Sequence, residues 1–274
     1  MKICLLFSLW LIFNTFPSWA QPQQVEYSFS IDIKAFVAGI DVLEHLYLID
    51  QNNIFRKYDR NGVELSFYNN RSLMVPGNFD LTNPHKILLF YPQHQTIVFL
   101  DRNLTKISSM ELSNLGLPEI SYAAISNDNQ IWVYDEFEHV LKKIDLNGSV
   151  KVSSENSYSL WGVSIEPIKI IERFNTVLLL DPQNGIFIYD NMGTPQIHRE
   201  MKGIIDIDFI SRNNLLLTLS PHRFLYYSLS QELKQQVPLP ENLKDKKIRQ
   251  LKFKGDQMLI LEDDRVSIYK RGKL

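Results

Sequence analysis

The chain has 274 residues, of which 45% are apolar, and 29 basic against 31 acidic side chains give a net charge of −2. That balance argues against a general nucleic-acid binder and shows no polybasic patch for an anionic membrane surface. The apolar content is enough for a large core, and nothing between residues 25 and 274 has the composition of a linker or low-complexity tract.

Met1 to Ala20 carries a lone cation at Lys2, an apolar run from Ile3 to Phe13 and the small-x-small triplet Ser18-Trp19-Ala20. This is the pattern of a cleaved secretory signal peptide. The run is too short to span a bilayer and no second one follows, so no transmembrane segment is expected. The single cysteine, Cys4, lies near the start of the run, not at its end where a lipoprotein carries its cysteine, so the chain reads as exported but not lipid-anchored. The mature chain would run from Gln21 to Leu274 as one domain without disulfides. Loss of Lys2 would leave 28 of the 29 basic side chains against 31 acidic ones.

The mature chain opens with an alternating segment, Val25 to Asp32, in which Val25, Tyr27, Phe29 and Ile31 interleave with Glu26, Ser28, Ser30 and Asp32. Six strand pairs follow with a period of roughly forty residues. They are Leu46–Asp50 with Ile54–Asp59, Ile87–Tyr91 with Thr96–Asp101, and Ile131–Asp135 with Val140–Asp145. The second three are Val177–Asp181 with Gly185–Asp190, Leu215–Leu219 with Arg223–Tyr227, and Met258–Glu262 with Arg265–Tyr269. The third unit shows the type: Ile131 to Tyr134 is too short for a helix and too continuously apolar for a strand with one wet face, an acidic turn follows, and Asp145-Leu-Asn-Gly148 closes the second strand.

Each pair is preceded by a weaker strand and, except the last, followed by another. Four strands repeated six times predict an all-β, six-bladed β-propeller. Only five residues follow Tyr269, too few for another strand, so Val25 to Asp32 is expected to complete the last blade and close the ring. Seven shorter blades or a β-sandwich are the competing architectures, although a sandwich would not give this internal period.

On these units the mature chain resembles the six-bladed propellers of the NHL and TolB-like kind. More narrowly, it is similar to secreted propellers of unassigned activity from the envelopes of Bacteroidota. The resemblance implies an envelope or periplasmic binding role and carries no catalytic residue across.

Propeller geometry puts the longer connections on one face: Tyr68 to Gly77, Leu112 to Glu119, Ser153 to Pro167 and Gln236 to Lys246. Function concentrates on such loops. Tyr158 and Trp161 are candidate anchors there, or alternatively a plug for the channel. The turn acids Asp135 and Asp181, with Asp50 and Glu262, read either as an acidic ring or as turn chemistry. His94 and His222 join the loop-face candidates. Asp206 and Asp208 in IIDIDF fall on one side of an innermost strand, as weak metal or acid–base candidates or as solvated channel residues paired with a cation such as Arg249. The six histidines show no metal-binding spacing, and there is no nucleophile elbow or phosphate-cradling loop, so neither a cofactor nor catalytic residues are assigned.

The sequence thus favours a non-enzymatic protein-interaction or scaffold module with an envelope protein partner. A channel-mouth enzyme of lyase or lactonase type, or a carbohydrate-binding propeller with a small-molecule or glycan ligand, is the alternative.

Overall fold

The computed structural model describes residues 25–219, 223–237, 239, 243–244 and 246–271. The expected signal peptide, residues 21–24 and His222 lie outside the described residues.

The chain enters as β1 (Val25–Ile31) and then builds blades from the channel outwards. Blade 1 is β2 (Ala35–Ile40), β3 (Leu46–Asp50), β4 (Phe55–Tyr58) and β5 (Glu64–Tyr68). Blade 2 is β6 (Asn78–Asp80), β7 (Ile87–Tyr91), β8 (Thr96–Leu100) and β9 (Lys106–Glu111). Blade 3 is β10 (Ile120–Ile125), β11 (Ile131–Asp135), β12 (Val140–Ile144) and β13 (Val150–Ser153). The short helix α1 (Ser157–Trp161) leads to blade 4, β14 (Lys169–Arg173), β15 (Thr176–Asp181), β16 (Gly185–Asp190) and β17 (Pro195–Arg199). Blade 5 is β18 (Ile204–Ser211), β19 (Asn214–Leu219), β20 (Arg223–Ser228) and β21 (Lys234–Gln236). Blade 6 is β22 (Gln250–Lys254), β23 (Gln257–Leu261) and β24 (Val266–Arg271), with β1 as its fourth strand.

All six sheets are four-stranded and antiparallel, so the protein is a six-bladed β-propeller. The second strand of each blade carries an uninterrupted apolar run because both of its faces are covered. Ile131, Trp132, Val133 and Tyr134 are all 0% exposed. Each hydrophobic cluster fills the space between two successive blades: Leu88, Phe99, Ile131 and Val133 between blades 2 and 3, Trp132, Tyr134, Leu179 and Phe187 between blades 3 and 4. The core is therefore a ring of six layers rather than one central mass.

Closure occurs as the sequence predicts, with β1 antiparallel to β24 from Val25 opposite Arg271 to Ile31 opposite Val266. The expected strict alternation does not hold. The register shifts between Tyr27 and Phe29, where an extra residue, Ser28, is accommodated in β1. A bulge of this kind moves later side chains to the other face. Val25 accordingly packs with the cluster between blades 5 and 6, whereas Phe29 and Ile31 pack with the cluster between blades 6 and 1. Tyr27, expected to point inward, is 59% exposed, meets Tyr269 edge-on and donates its hydroxyl to Ser30 Oγ at 3.0 Å.

The Asp-x-x-Gly turns have a second function in locking the ring. Gly193 has φ 76°, and a Cβ there would stand 2.7 Å from Val152 on the outermost strand of blade 3. Gly62 repeats the arrangement at φ 85° against the Phe29 ring of β1. The glycine is required by the left-handed backbone and by the closeness of the preceding blade.

Candidate functional site

Two regions can hold a partner or ligand: the face carrying the long connections, and the channel between the innermost strands.

On the long-loop face, the turn acids are bound by amides of their own turns and by nearby groups outside them. Asp50 accepts from the Asn52 and Ile54 amides at 2.8 and 3.0 Å and from Arg56 Nε at 2.8 Å. Asp135 accepts from the Glu138 amide and, at 2.8 Å, from Lys142 Nζ. Asp181 accepts from the Gln183, Asn184 and Glu166 amides. All three are 1% exposed. Aspartate suits this position because its side chain satisfies turn amides that the ladder leaves open.

The connection after blade 3 folds as α1, capped by Asn156, whose Oδ1 accepts the Ser159 amide at 2.8 Å. Its two aromatic candidates separate. Trp161 turns back onto blade 4, 5.1 Å from the Phe187 ring and 5.5 Å from Tyr189, so it is neither an exposed anchor nor a channel plug. Tyr158 is 55% exposed and stacks on His139 at 5.8 Å. The His139 turn also carries Phe137, 74% exposed, and α1 carries Leu160, 45% exposed. Phe137, Tyr158 and Leu160 are thus exposed on a turn and a helix that the His139–Tyr158 stack brings together. His94 lies exposed in the single 3₁₀ turn between β7 and β8, on the same face.

The channel is a cavity of about 500 Å³ lined by the innermost strands. A propeller's innermost strands splay from their neighbours, leaving backbone groups unpaired, and polar side chains satisfy several of them. Asn78 Nδ2 donates to the Ala123 carbonyl at 2.9 Å, Asp80 accepts the Ile125 amide at 3.0 Å, and Gln250 Oε1 accepts the Ala38 amide at 3.0 Å. Glu172 makes a similar clasp from blade 4 to blade 3. It accepts from Trp132 Nε1 at 2.7 Å, Ser126 Oγ at 2.5 Å and the Asn127 amide at 3.1 Å.

Asp206 and Asp208 both line this cavity, as the alternation in IIDIDF predicts. The cation beside Asp206 is not Arg249, which donates to the Ala35 carbonyl. It is Lys169, at 2.5 Å, with Gln250 Nε2 on the other carboxylate oxygen at 2.8 Å and Lys252 at 4.0 Å. Burial raises the Asp206 carboxyl, but Lys169 and Lys252 outweigh it and hold the group well below the usual carboxylate range. Burial also lowers Lys169, which Asp206 and Asp208 more than offset. Lys252 and Lys254 are pushed below the usual ammonium range, by burial first and then by Lys169 and Arg173 respectively.

Sequence reasoning missed these lysines. In QLKFK, Gln250, Lys252 and Lys254 alternate with Leu251 and Phe253, the same signal that singled out the two aspartates on β18. A second hollow of about 490 Å³ opens on the loop face beside Ser121, Glu136 and Glu166 and shares Asn78 and Tyr122 with the channel. Burial raises the Glu136 carboxyl, with Glu166 and Glu119 adding to the effect and Ser121 opposing it.

No family model and no curated protein matches the chain. Among solved structures it is similar to virginiamycin B lyase from Staphylococcus aureus, with TM-score 0.59 and 15% identity over 87% of this chain and 81% of that one. It is also similar to BBS1N in a complex with ARL6DN, with TM-score 0.63 and 11% identity over 92% and 98%. The Neurospora crassa Pan2 WD40 domain gives TM-score 0.61 and 9% identity over 94% and 98%. At these identities the likeness is one of fold alone.

Proposed function

We propose that the protein is an exported, non-enzymatic propeller that docks a protein partner of the cell envelope through its long-loop face. The observation that carries this reading is the exposure of three apolar side chains, Phe137, Tyr158 and Leu160, 74, 55 and 45% exposed, on a turn and a helix joined by the His139 stack and fixed by the Asn156 cap. Exposed aromatic side chains on a rigid support are typical interface anchors. Met74, 58% exposed, adds an apolar side chain from the connection between blades 1 and 2 on the same face. Export rests on the pattern of residues 1–20, and among the described residues no helix is long and apolar enough to cross a membrane.

Photo-crosslinking in the native envelope tests the face. A crosslinking residue at Phe137 or Tyr158 is expected to trap one protein adduct, whereas one at Met192, 65% exposed in a turn on the opposite face, is expected to trap none. Equal labelling at the three positions, or none at Phe137 and Tyr158, would remove the loop face as the docking surface. N-terminal sequencing of the native protein checks export, with Gln21 expected as the first residue.

A further inference from the structure

The channel has a charge pattern that docking on the loop face does not use. Five cations, Lys169, Arg173, Arg249, Lys252 and Lys254, share the cavity with three carboxylates, Asp80, Asp206 and Asp208, a surplus of two positive charges inside a chain of net charge −2. The carboxylates are largely committed. Asp206 is taken by Lys169 and Gln250, both Asp80 oxygens accept backbone amides from Thr82 and Ile125, and Asp208 accepts the Phe209 amide. Lys169 is held by Asp206 and Arg249 by the Ala35 carbonyl, but the other three cations are not matched in this way. Among the described residues Lys252 reaches only Asp206, at 4.0 Å, and Lys254 makes no hydrogen bond or ion pair. Among the described residues Arg173 is held by neutral groups alone, the Thr82 hydroxyl across the channel at 3.1 Å and the Glu172 carbonyl at 2.9 Å.

Buried charges without partners are costly, and proteins keep them where a ligand completes the pairing. The cavity, about 500 Å³, is within the range of small-molecule sites and its wall also carries Ile171, Phe209 and Phe253. We propose that the channel binds a small organic anion with one or two carboxylate or phosphate groups, received by Lys252, Lys254 and Arg173. Lysine and arginine together suit either group, since each offers charge-assisted hydrogen bonds and the guanidinium can engage two oxygens at once.

The test is thermal melting of the purified chain titrated with citrate, with inorganic phosphate and with neutral sorbitol. A ligand of the native state alone raises the melting temperature in a saturable way. Citrate or phosphate is expected to do so, and which of the two acts at lower concentration identifies the group recognised. The Lys252→Met/Lys254→Met variant is expected to fold with an unchanged or higher melting temperature in the absence of anion, because it loses one cation held only by a 4.0 Å contact and one without an ion pair among the described residues. It should bind on the order of tenfold or more weakly. Should that variant not fold, Lys254→Gln is measured in the same way, with the same expectation of weaker binding. A shift that fails to saturate, no shift with either anion, or an equal shift in wild type and variant would overturn the proposal. Crosslinking at Phe137 would be unaffected by any of these results.

Discussion

Ring closure by β1 can be tested with a deletion whose effect follows from the contacts that strand makes. Removing residues 21–32 takes away six register pairs with β24, from Val25 opposite Arg271 to Ile31 opposite Val266. It also removes Phe29 and Ile31 from the cluster that holds Leu261, Val266 and Ile268, and strips the Phe29 ring from the turn at Gly62. Fully burying such a side chain is worth about 1.5–3 kcal/mol, so two half-buried ones, counted with the partner surface they uncover, amount to about 3 kcal/mol. For a chain of this size each kcal/mol moves Tm by about 2–4 °C, which places the expected fall near 6–12 °C. The outer edge of β24 would be left open, so concentration-dependent association should accompany the fall. Calorimetry and light scattering at two protein concentrations measure both effects. Removing residues 21–24 alone should change neither. Equal melting of the chain beginning at Ile33 and the chain beginning at Gln21 would refute the closure and the order of blades built on it.

Trp161→Ala should lower stability by about 2 kcal/mol, because the indole covers Phe187 and Tyr189, and denaturant unfolding would show it as a shifted midpoint with unchanged slope. Tyr158→Ala on the same helix should leave that midpoint where it is. Glu172→Ala removes the acceptor of Trp132 Nε1, Ser126 Oγ and the Asn127 amide from a site 3% exposed, and should cost about 3 kcal/mol or more; unchanged stability would show that the clasp is dispensable. The depressed Asp206 carboxyl gives a pH signature. Its contribution is complete above the ordinary value of 3.8 and is lost as pH falls from there through the folded value, so Asp206→Asn should flatten the acid limb of the stability profile.

The fold was legible because a propeller repeats one unit whose middle strands are covered on both faces. Val177 to Leu180 and Ile186 to Tyr189 read as uninterrupted apolar runs for the reason the structure shows: blades 3 and 5 stand on either side of them. The closing strand was legible by subtraction, since the last repeat lacked a fourth strand. Its bulge was not, because Ser28 is as compatible with strict alternation as with an inserted position, and the choice is made by the two clusters that Val25 and Phe29 must reach. In blade 2 the turn residue corresponding to glycine is Leu104, at φ 63° and 3% exposed, packed with Tyr47 and Phe55 of blade 1. There, burial against the neighbouring blade outweighs the strain of a left-handed leucine.

The site was less legible because in a propeller one residue type answers two demands. Asp135 and Asp206 are both aspartates at strand positions next to apolar residues and both hold a lysine, yet one lies in a turn, bound to Lys142 and the Glu138 amide, and the other faces the channel, bound to Lys169 and Gln250. The distinction depends on which strand of the blade a residue belongs to, and the inner strands have the weakest sequence signal. One of their faces meets the channel, so they alternate, and their lengths vary from three residues in β6 to eight in β18. Once the repeat fixes which segments are innermost, alternation within them assigns the channel wall directly. Applied to KIIER and QLKFK, it picks out Lys169, which holds Asp206, and Arg173, Lys252 and Lys254, whose shortage of acidic partners distinguishes this channel from a packed core.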